Sequence, residues 1–142
     1  MSINRVLEIA SSALDVQRAR MEAAASNLAN AQTTRTPEGG PYQRRLPVVA
    51  AVAVEPRAFG DELARSERAV ELQAVQLDPR PPVKRYEPGH PDADAQGYVA
   101  YPNVDPAEEM VDILSAIRSY EASVNVVKIA RQMNESALGM VR

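Results

Sequence analysis

The stretch best equipped for chemistry is His90-Pro91-Asp92-Ala93-Asp94-Ala95-Gln96-Gly97, which holds the single histidine and two carboxylates beside a glycine. Asp-x-Asp followed by Gly forms half of an EF-hand calcium loop, in which carboxylates at alternate positions converge on one cation. The distal bidentate Glu of such a loop is missing, and no second His exists to complete a transition-metal site. The residues therefore favour a structured turn, with the Asp side chains accepting from nearby backbone N–H groups. General acid–base work would need one of these groups inside an enclosed pocket, and the chain offers little material to build one.

No glycine-rich phosphate loop, nucleophile elbow or zinc-protease helix occurs. Asn134-Glu135-Ser136 fits the glycosylation sequon, but it falls inside a helical run and reads as a chance match. Tyr120 reads as an interface anchor, an apolar ring with its hydroxyl at a wet edge, rather than as a ligand-stacking residue. An enzyme built on His90, Asp92 and Asp94 is the weakest reading, and neither a cofactor nor a metal is expected.

Composition narrows the classes further. The chain has 142 residues, one domain's worth, with no Trp and one Phe, Phe59. Aromatics supply the largest buried areas, so a thick core is not expected. The net charge is −3 and the nearest approach to a basic cluster is the pair Arg44-Arg45, which argues against a nucleic-acid partner. Without Cys, disulfides, thiolate catalysis and Cys-ligated zinc are excluded. The N-terminus lacks the basic start and apolar run of a signal peptide, and no apolar run approaches the roughly 18 residues of a membrane span.

The prolines set the layout: none in 1–36, ten in 37–102, and the last, Pro106, where a second helical run should start. Proline breaks helix interiors and suits the first helical position. Residues 1–32 and 105–142 are expected to be helices forming one discontinuous domain, with 33–104 as a Pro-rich β/loop insert. In the first run Ile3, Leu7, Ala10, Leu14, Met21, Ala24, Leu28 and Ala31 recur at alternating spacings of four and three, interrupted only by Gln17. That is a heptad stripe, with Ser2 as a cap. In the second, Asp105 caps, Pro106 opens the helix, and Glu108 completes a capping-box spacing. Glu109 and Asp112 lie near the positive end of its dipole, and Lys128, Arg131 and Arg142 towards the negative end. Its stripe runs Ile113, Ile117, Tyr120, Val124, Val127 and broadens into Ala130, Met133, Ala137, Leu138 and Val141.

The insert reads as turn chemistry over 34–40, an edge strand over 42–54 interrupted by Pro47, a strand around Val70, Leu72 and Ala74, and a short one over 98–101. Residues 55–67 and 78–97 read as loops. The fold class is mainly α with a small β-rich insert, its long terminal helices paired antiparallel as a coiled coil. Pairing two helices leaves much of the wider second stripe uncovered, so further helices must come from other chains. Until then the free chain is expected to leave much of its terminal helices unstructured.

Ser26-Asn27-Leu28-Ala29-Asn30, closing the first heptad helix, resembles a signature of the bacterial flagellar rod and hook axial proteins. Glu109-Met110-Val111-Asp112-Ile113-Leu114, followed by Arg118-Ser119-Tyr120-Glu121-Ala122-Ser123, resembles that family's second signature. The stretch from Tyr86 to Val99 with Pro102-Asn103-Val104-Asp105 is similar to a short member of the proximal rod. Ser123 stands where the family usually has Asn, Thr33-Thr34-Arg35-Thr36 replaces its Thr-x-Gly-Tyr turn, with Tyr42 delayed, and residues 43–78 fall outside the resemblance.

The resemblance implies a non-catalytic subunit of the basal-body proximal rod, polymerised helically to transmit motor torque across the periplasm. It also implies export through the flagellar type III apparatus without a cleaved signal peptide. Its partners would be other copies of itself, other rod proteins, the MS-ring and export-gate base, and the P-ring. The assembly surface is expected to comprise Leu7, Leu14, Met21, Asn27, Leu28 and Asn30 on the first helix. On the second it comprises Ile113, Ile117, Tyr120, Val124, Val127, Met133 and Leu138. Asn27 and Asn30, poor helix formers beside the seam, are expected to close the helix and to reach backbone groups of adjoining chains, fixing register. The alternative function is a soluble helical-hairpin export chaperone or adaptor.

Overall fold

A computed structural model describes residues 3–53 and 68–139. The Ser2 cap, the loop over 55–67, Val141 and Arg142 lie outside the described residues. The elements run α1 (Ile3–Ala29), β1 (Arg45–Ala53), β2 (Arg68–Leu77), β3 (Val83–Tyr86), β4 (Tyr98–Tyr101) and α2 (Pro106–Gly139). Mainly helical chain with a small β portion is what the proline distribution called for. Among the described residues no helix is long and apolar enough to cross a membrane.

The helix ends follow from local chemistry. At the end of α1 the Ser26 carbonyl accepts both the Asn30 N–H at 3.1 Å and the Asn30 side-chain amide at 2.9 Å. The Asn30 carbonyl and side-chain oxygens take the Thr33 N–H and hydroxyl, which turns the chain. At the start of α2, Asp105 Oδ1 accepts the Ala107 N–H at 2.8 Å, the geometry of an N-cap with Pro106 as the first helical residue. Glu108 turns instead toward Arg44, 3.4 Å away.

The helices lie side by side and run in opposite directions where they meet. Asn27 near the end of α1 bonds Glu109 near the start of α2 at 3.0 Å, and Arg20, further back, lies 4.0 Å from Asp112, further on. Among the described residues the buried apolar side chains, proline aside, are Ala10, Val16, Ala23, Ala24, Val99, Ala116 and Ala130. Five of the seven are alanines, so the core is thin and the backbones can approach closely.

The inward face of α2 passes through Glu109, Ala116 and Ala130, with Ile113, Tyr120, Val124 and Val127 half-buried beside it. Ile117, expected on that face, is instead 38 % exposed. The face of α1 is broader than the heptad stripe, because α1 has two neighbours, α2 and the β1–β2 hairpin. Val16 and Ala23 are buried off the stripe, and Ser12 Oγ accepts the Val70 N–H at 3.3 Å.

β1 and β2 pair antiparallel from Arg45↔Leu77 to Ala53↔Arg68, with a register irregularity at Val48/Val49 directly after Pro47. A residue that cannot donate to the ladder sits most easily beside such a break. β3 and β4 pair antiparallel from Val83↔Tyr101 to Tyr86↔Tyr98. β3 corrects the expectation of an unbroken loop over 78–97. Pro81 and Pro82 precede a strand whose charged residues concealed it, held by cross-strand contacts that include Tyr86 edge-on to Tyr98 at 5.4 Å.

Candidate functional site

The residues first considered for chemistry build a turn between β3 and β4. Asp94 Oδ1 accepts the N–H groups of Gln96 and Tyr98, both at 2.9 Å, and His90 Nδ1 accepts the Asp92 N–H at 3.1 Å. Asp92 ties the turn to the segment after α1, accepting the Thr34 hydroxyl at 2.8 Å with Arg35 at 3.8 Å. Gly97 closes it at φ +82°, where an added Cβ would stand 2.9 Å from Tyr86 Cε2. Among the described residues no group of three or more His, Cys, Asp or Glu side chains is placed to hold a metal ion.

The most constrained polar site lies elsewhere, where the end of α1, the start of β1 and the start of α2 meet. The loop after α1 folds back, with the Tyr42 N–H donating to the Thr33 carbonyl at 3.0 Å. This brings residues 42–45 across the last turn of α1. Asn27, 1 % exposed, then makes all four hydrogen bonds open to a primary amide. Its Nδ2 donates to the Arg45 carbonyl and to Glu109 Oε2, each at 3.0 Å. Its Oδ1 accepts the Arg45 N–H at 2.8 Å and the Tyr42 hydroxyl at 3.0 Å. Ser26 Oγ lies 3.1 Å from the same hydroxyl.

Glu109 is likewise 1 % exposed, and its second oxygen meets Arg44 Nε at 2.5 Å. Arg44 is itself buried, with Nη2 3.4 Å from Glu108 and 3.8 Å from Asp112. Burial opposes the charge on Arg44, but the hydrogen bond and attraction of Glu109, aided by Glu108, outweigh it and hold the guanidinium above its ordinary pKa. Beside it the Asp78 N–H donates to the Arg44 carbonyl at 2.8 Å. Asp78 is also buried, and hydrogen bonds from the Arg80 guanidinium and then from the Arg80 N–H hold its carboxyl below the ordinary value. No described buried side-chain N or O atom lacks a partner. A buried ion pair is costly unless every partner is supplied, and here each one is.

The four bonds of the Asn27 amide all lie inside its own chain. Asn30 closes the helix as expected. Leu7, Leu14, Met21 and Leu28 remain half-buried on α1, while Met133 and Leu138 are each 64 % exposed. Ser123, in the place of the family's Asn, donates back to the Ser119 carbonyl at 2.9 Å. Sequence reasoning missed Tyr42, Arg44 and Glu109 as a unit. The available signal was that Asn27 and Glu109 each belong to a signature motif, one on each helix.

Comparison with known proteins gives consistent results. Residues 7–35 match a family model described as "Flagella basal body rod protein", and residues 95–140 one described as "Flagellar basal body rod FlgEFG protein C-terminal". The chain is 36 % identical to the flagellar basal-body rod protein FlgC of Borreliella burgdorferi, covering 100 % of this chain and 99 % of that one. It is 41 % identical to the FlgC of Yersinia enterocolitica, over 94 % of this chain and 93 % of that one. To the FlgC of Bacillus subtilis it is 37 % identical, over 93 % of each.

Proposed function

The chain belongs to the flagellar basal-body rod protein FlgC family, and from that premise we propose that it packs helically with other rod proteins into the proximal rod and transmits motor torque. It is a structural subunit of the basal-body rod and not an enzyme. The observation that supports assembly is the outward face of α2, where Met110, Val111, Leu114, Ile129 and Met133 are each more than half exposed. Isolated apolar side chains on a surface are ordinary, but a row of them along one helix marks a contact.

In this reading α1 and α2 form one discontinuous domain (1–32 and 105–142) with coiled-coil packing, and 33–104 forms a second. Leu7, Leu14, Met21, Leu28, Ile113, Ile117, Tyr120, Val124, Val127, Met133 and Leu138 contribute to the assembly surface. Asn27 and Asn30 set the shape of the end of α1 from within. Each contact between unlike surfaces repeats along a screw axis and so builds a filament. Burial contributes about 25 cal/mol per Å², which over several neighbours holds a rod that no single subunit would. The subunit reaches its place through the flagellar type III apparatus, lies in the periplasm, and adjoins the MS-ring and export-gate base and the P-ring.

An export chaperone is not favoured, since relatives matched along nearly the whole chain are rod proteins. Imaging basal bodies from a strain lacking this chain tests the proposal. Rods should be missing, and intact rods would end it. Leu14→Asp or Val124→Asp should abolish motility while leaving secretion of other flagellar proteins in place, whereas loss of that secretion would point to the chaperone.

A further inference from the structure

The turn between β3 and β4 is tied to the segment after α1 through its histidine. His90, the single His of the chain, is half-buried, and its Nδ1 accepts the Asp92 N–H at 3.1 Å. That bond sets the backbone at Asp92, whose carboxylate accepts the Thr34 hydroxyl at 2.8 Å and lies 3.8 Å from Arg35. Thr34 follows Thr33, whose carbonyl takes the Tyr42 N–H and closes the fold-back that carries Tyr42 onto Asn27. A line of contacts thus runs from the imidazole to the buried polar site.

A neutral imidazole that accepts at Nδ1 carries its own proton on Nε2. A second proton can then go only to Nδ1, the atom that holds the Asp92 N–H. Protonation of His90 and this hydrogen bond therefore exclude each other. Imidazole is also the side chain whose charge ordinarily changes between about pH 5 and 8, and half-burial leaves the ring open to water.

The groups around the ring come from each neighbouring element. Tyr101 of β4 stands edge-on to it with centroids 6.3 Å apart, Arg85 of β3 lies over the Tyr101 ring, and Glu87 accepts the Tyr101 hydroxyl. On the turn, Asp94 Oδ1 is occupied by the Gln96 and Tyr98 N–H groups. Asp92 has Oδ2 on Thr34 and Oδ1 toward Arg35, so turning its carboxylate onto a protonated Nδ1 would draw it away from that segment.

We propose that His90 is a pH-sensitive pin: neutral, it holds the β3–β4 turn on the segment after α1, and protonated at Nδ1 it releases the turn. Acid then loosens the brace behind Tyr42, on the side from which the Asn27 site is closed.

Nuclear magnetic resonance of the nitrogen-15-labelled full chain, titrated between about pH 8 and 5.5, tests this in the range where imidazole ordinarily changes charge. The one His gives a single ring titration. The Asp92 and Thr34 amides should shift together with the ring, and protection of the Asp92 amide against exchange should fall about fivefold, the worth of one hydrogen bond. His90→Asn places an amide oxygen where Nδ1 stands, keeps the same turn and cannot titrate, so both amides should hold their high-pH state throughout. His90→Ala lacks the acceptor and should show the acid state at every pH. Any of three results would overturn this role: an Asp92 amide that ignores the ring titration, a Thr34 amide that stays fixed while Asp92 moves, or His90→Asn with the wild-type pH dependence. The measurement needs no other rod protein, so its outcome is separate from that of the rod assignment.

Discussion

The side-chain amide of Asn27 and the carboxylate of Glu109, 82 residues apart in sequence, share a 3.0 Å hydrogen bond with both side chains 1 % exposed. Each also holds a residue of the segment leading into β1: Asn27 the backbone of Arg45, Glu109 the guanidinium of Arg44. One pair thereby fixes the two helices to each other and the β1–β2 hairpin to both.

Asn27→Ala should be costly out of proportion to its size. It strands one oxygen of a buried carboxylate together with a backbone N–H and C=O. Leaving such groups unpaired costs about 1–3 kcal/mol each where water cannot re-enter, so a loss of about 3 kcal/mol is expected. Urea unfolding of the purified chain measures it, and Asn30→Ala, which removes two part-buried bonds at the helix end, to the Ser26 carbonyl and from the Thr33 hydroxyl, should cost less, about 1 kcal/mol.

Arg44 and Glu109 should behave as a coupled pair. Arg44→Met leaves Glu109 as a buried charge without its cation, a loss of about 3–5 kcal/mol for such pairs, and Glu109→Leu costs less because Arg44 keeps Glu108 and Asp112 nearby. The double variant should be destabilised by less than the sum, with a coupling energy of about 2 kcal/mol. An additive double variant would show that the pair does not act as a unit.

Gly97→Ala tests the turn that absorbed His90, Asp92 and Asp94. Its φ of +82° and the 2.9 Å approach to Tyr86 Cε2 leave no room for a methyl group. A loss of about 1–3 kcal/mol is expected, accompanied by a change in the near-ultraviolet signal of the Tyr86–Tyr98 pair.

Acid should weaken the hairpin through Asp78. Its folded pKa lies below the ordinary 3.8 because Arg80 donates to the charged form. The unfolded chain therefore takes up a proton first as pH falls. The stabilising contribution is complete above about pH 5 and is lost as pH drops through 3.8 toward the lower folded value. Asp78→Asn should flatten that part of a stability–pH curve, and an unchanged slope would contradict it.

Amide exchange in the free chain should be graded along α2. The buried contacts at Glu109 and Ala116 should make residues 108–116 the slowest, and exposed residues 131–139 the fastest. Uniformly fast exchange would show that the Asn27–Glu109 contact does not form before assembly.

Much of this architecture was legible in the sequence. The absence of proline from 1–36, the Asp105-Pro106 start and the stripes at spacings of three and four identified both helices, because capping and periodicity are local effects. The hairpin strands and the 90–97 turn were readable for the same reason, while β3 was hidden because cross-strand pairing outweighed its polar, proline-flanked composition. The two signature motifs carried the family.

The sequence alone could not decide which polar residues would be withdrawn from water. Asn27 and Glu109 are ordinary exposed-type residues by composition, and Arg44 looked like half of a weak basic pair. Only when the loop after α1 folds back do four donors and acceptors converge on Asn27 and a guanidinium on Glu109. That convergence makes burial tolerable, since an unpaired buried charge would not be. In the same way Ala116 rather than Ile117 faces inward, because the distance between the helices, set by alanines on both, admits a methyl group there and turns the larger side chain toward whatever packs outside.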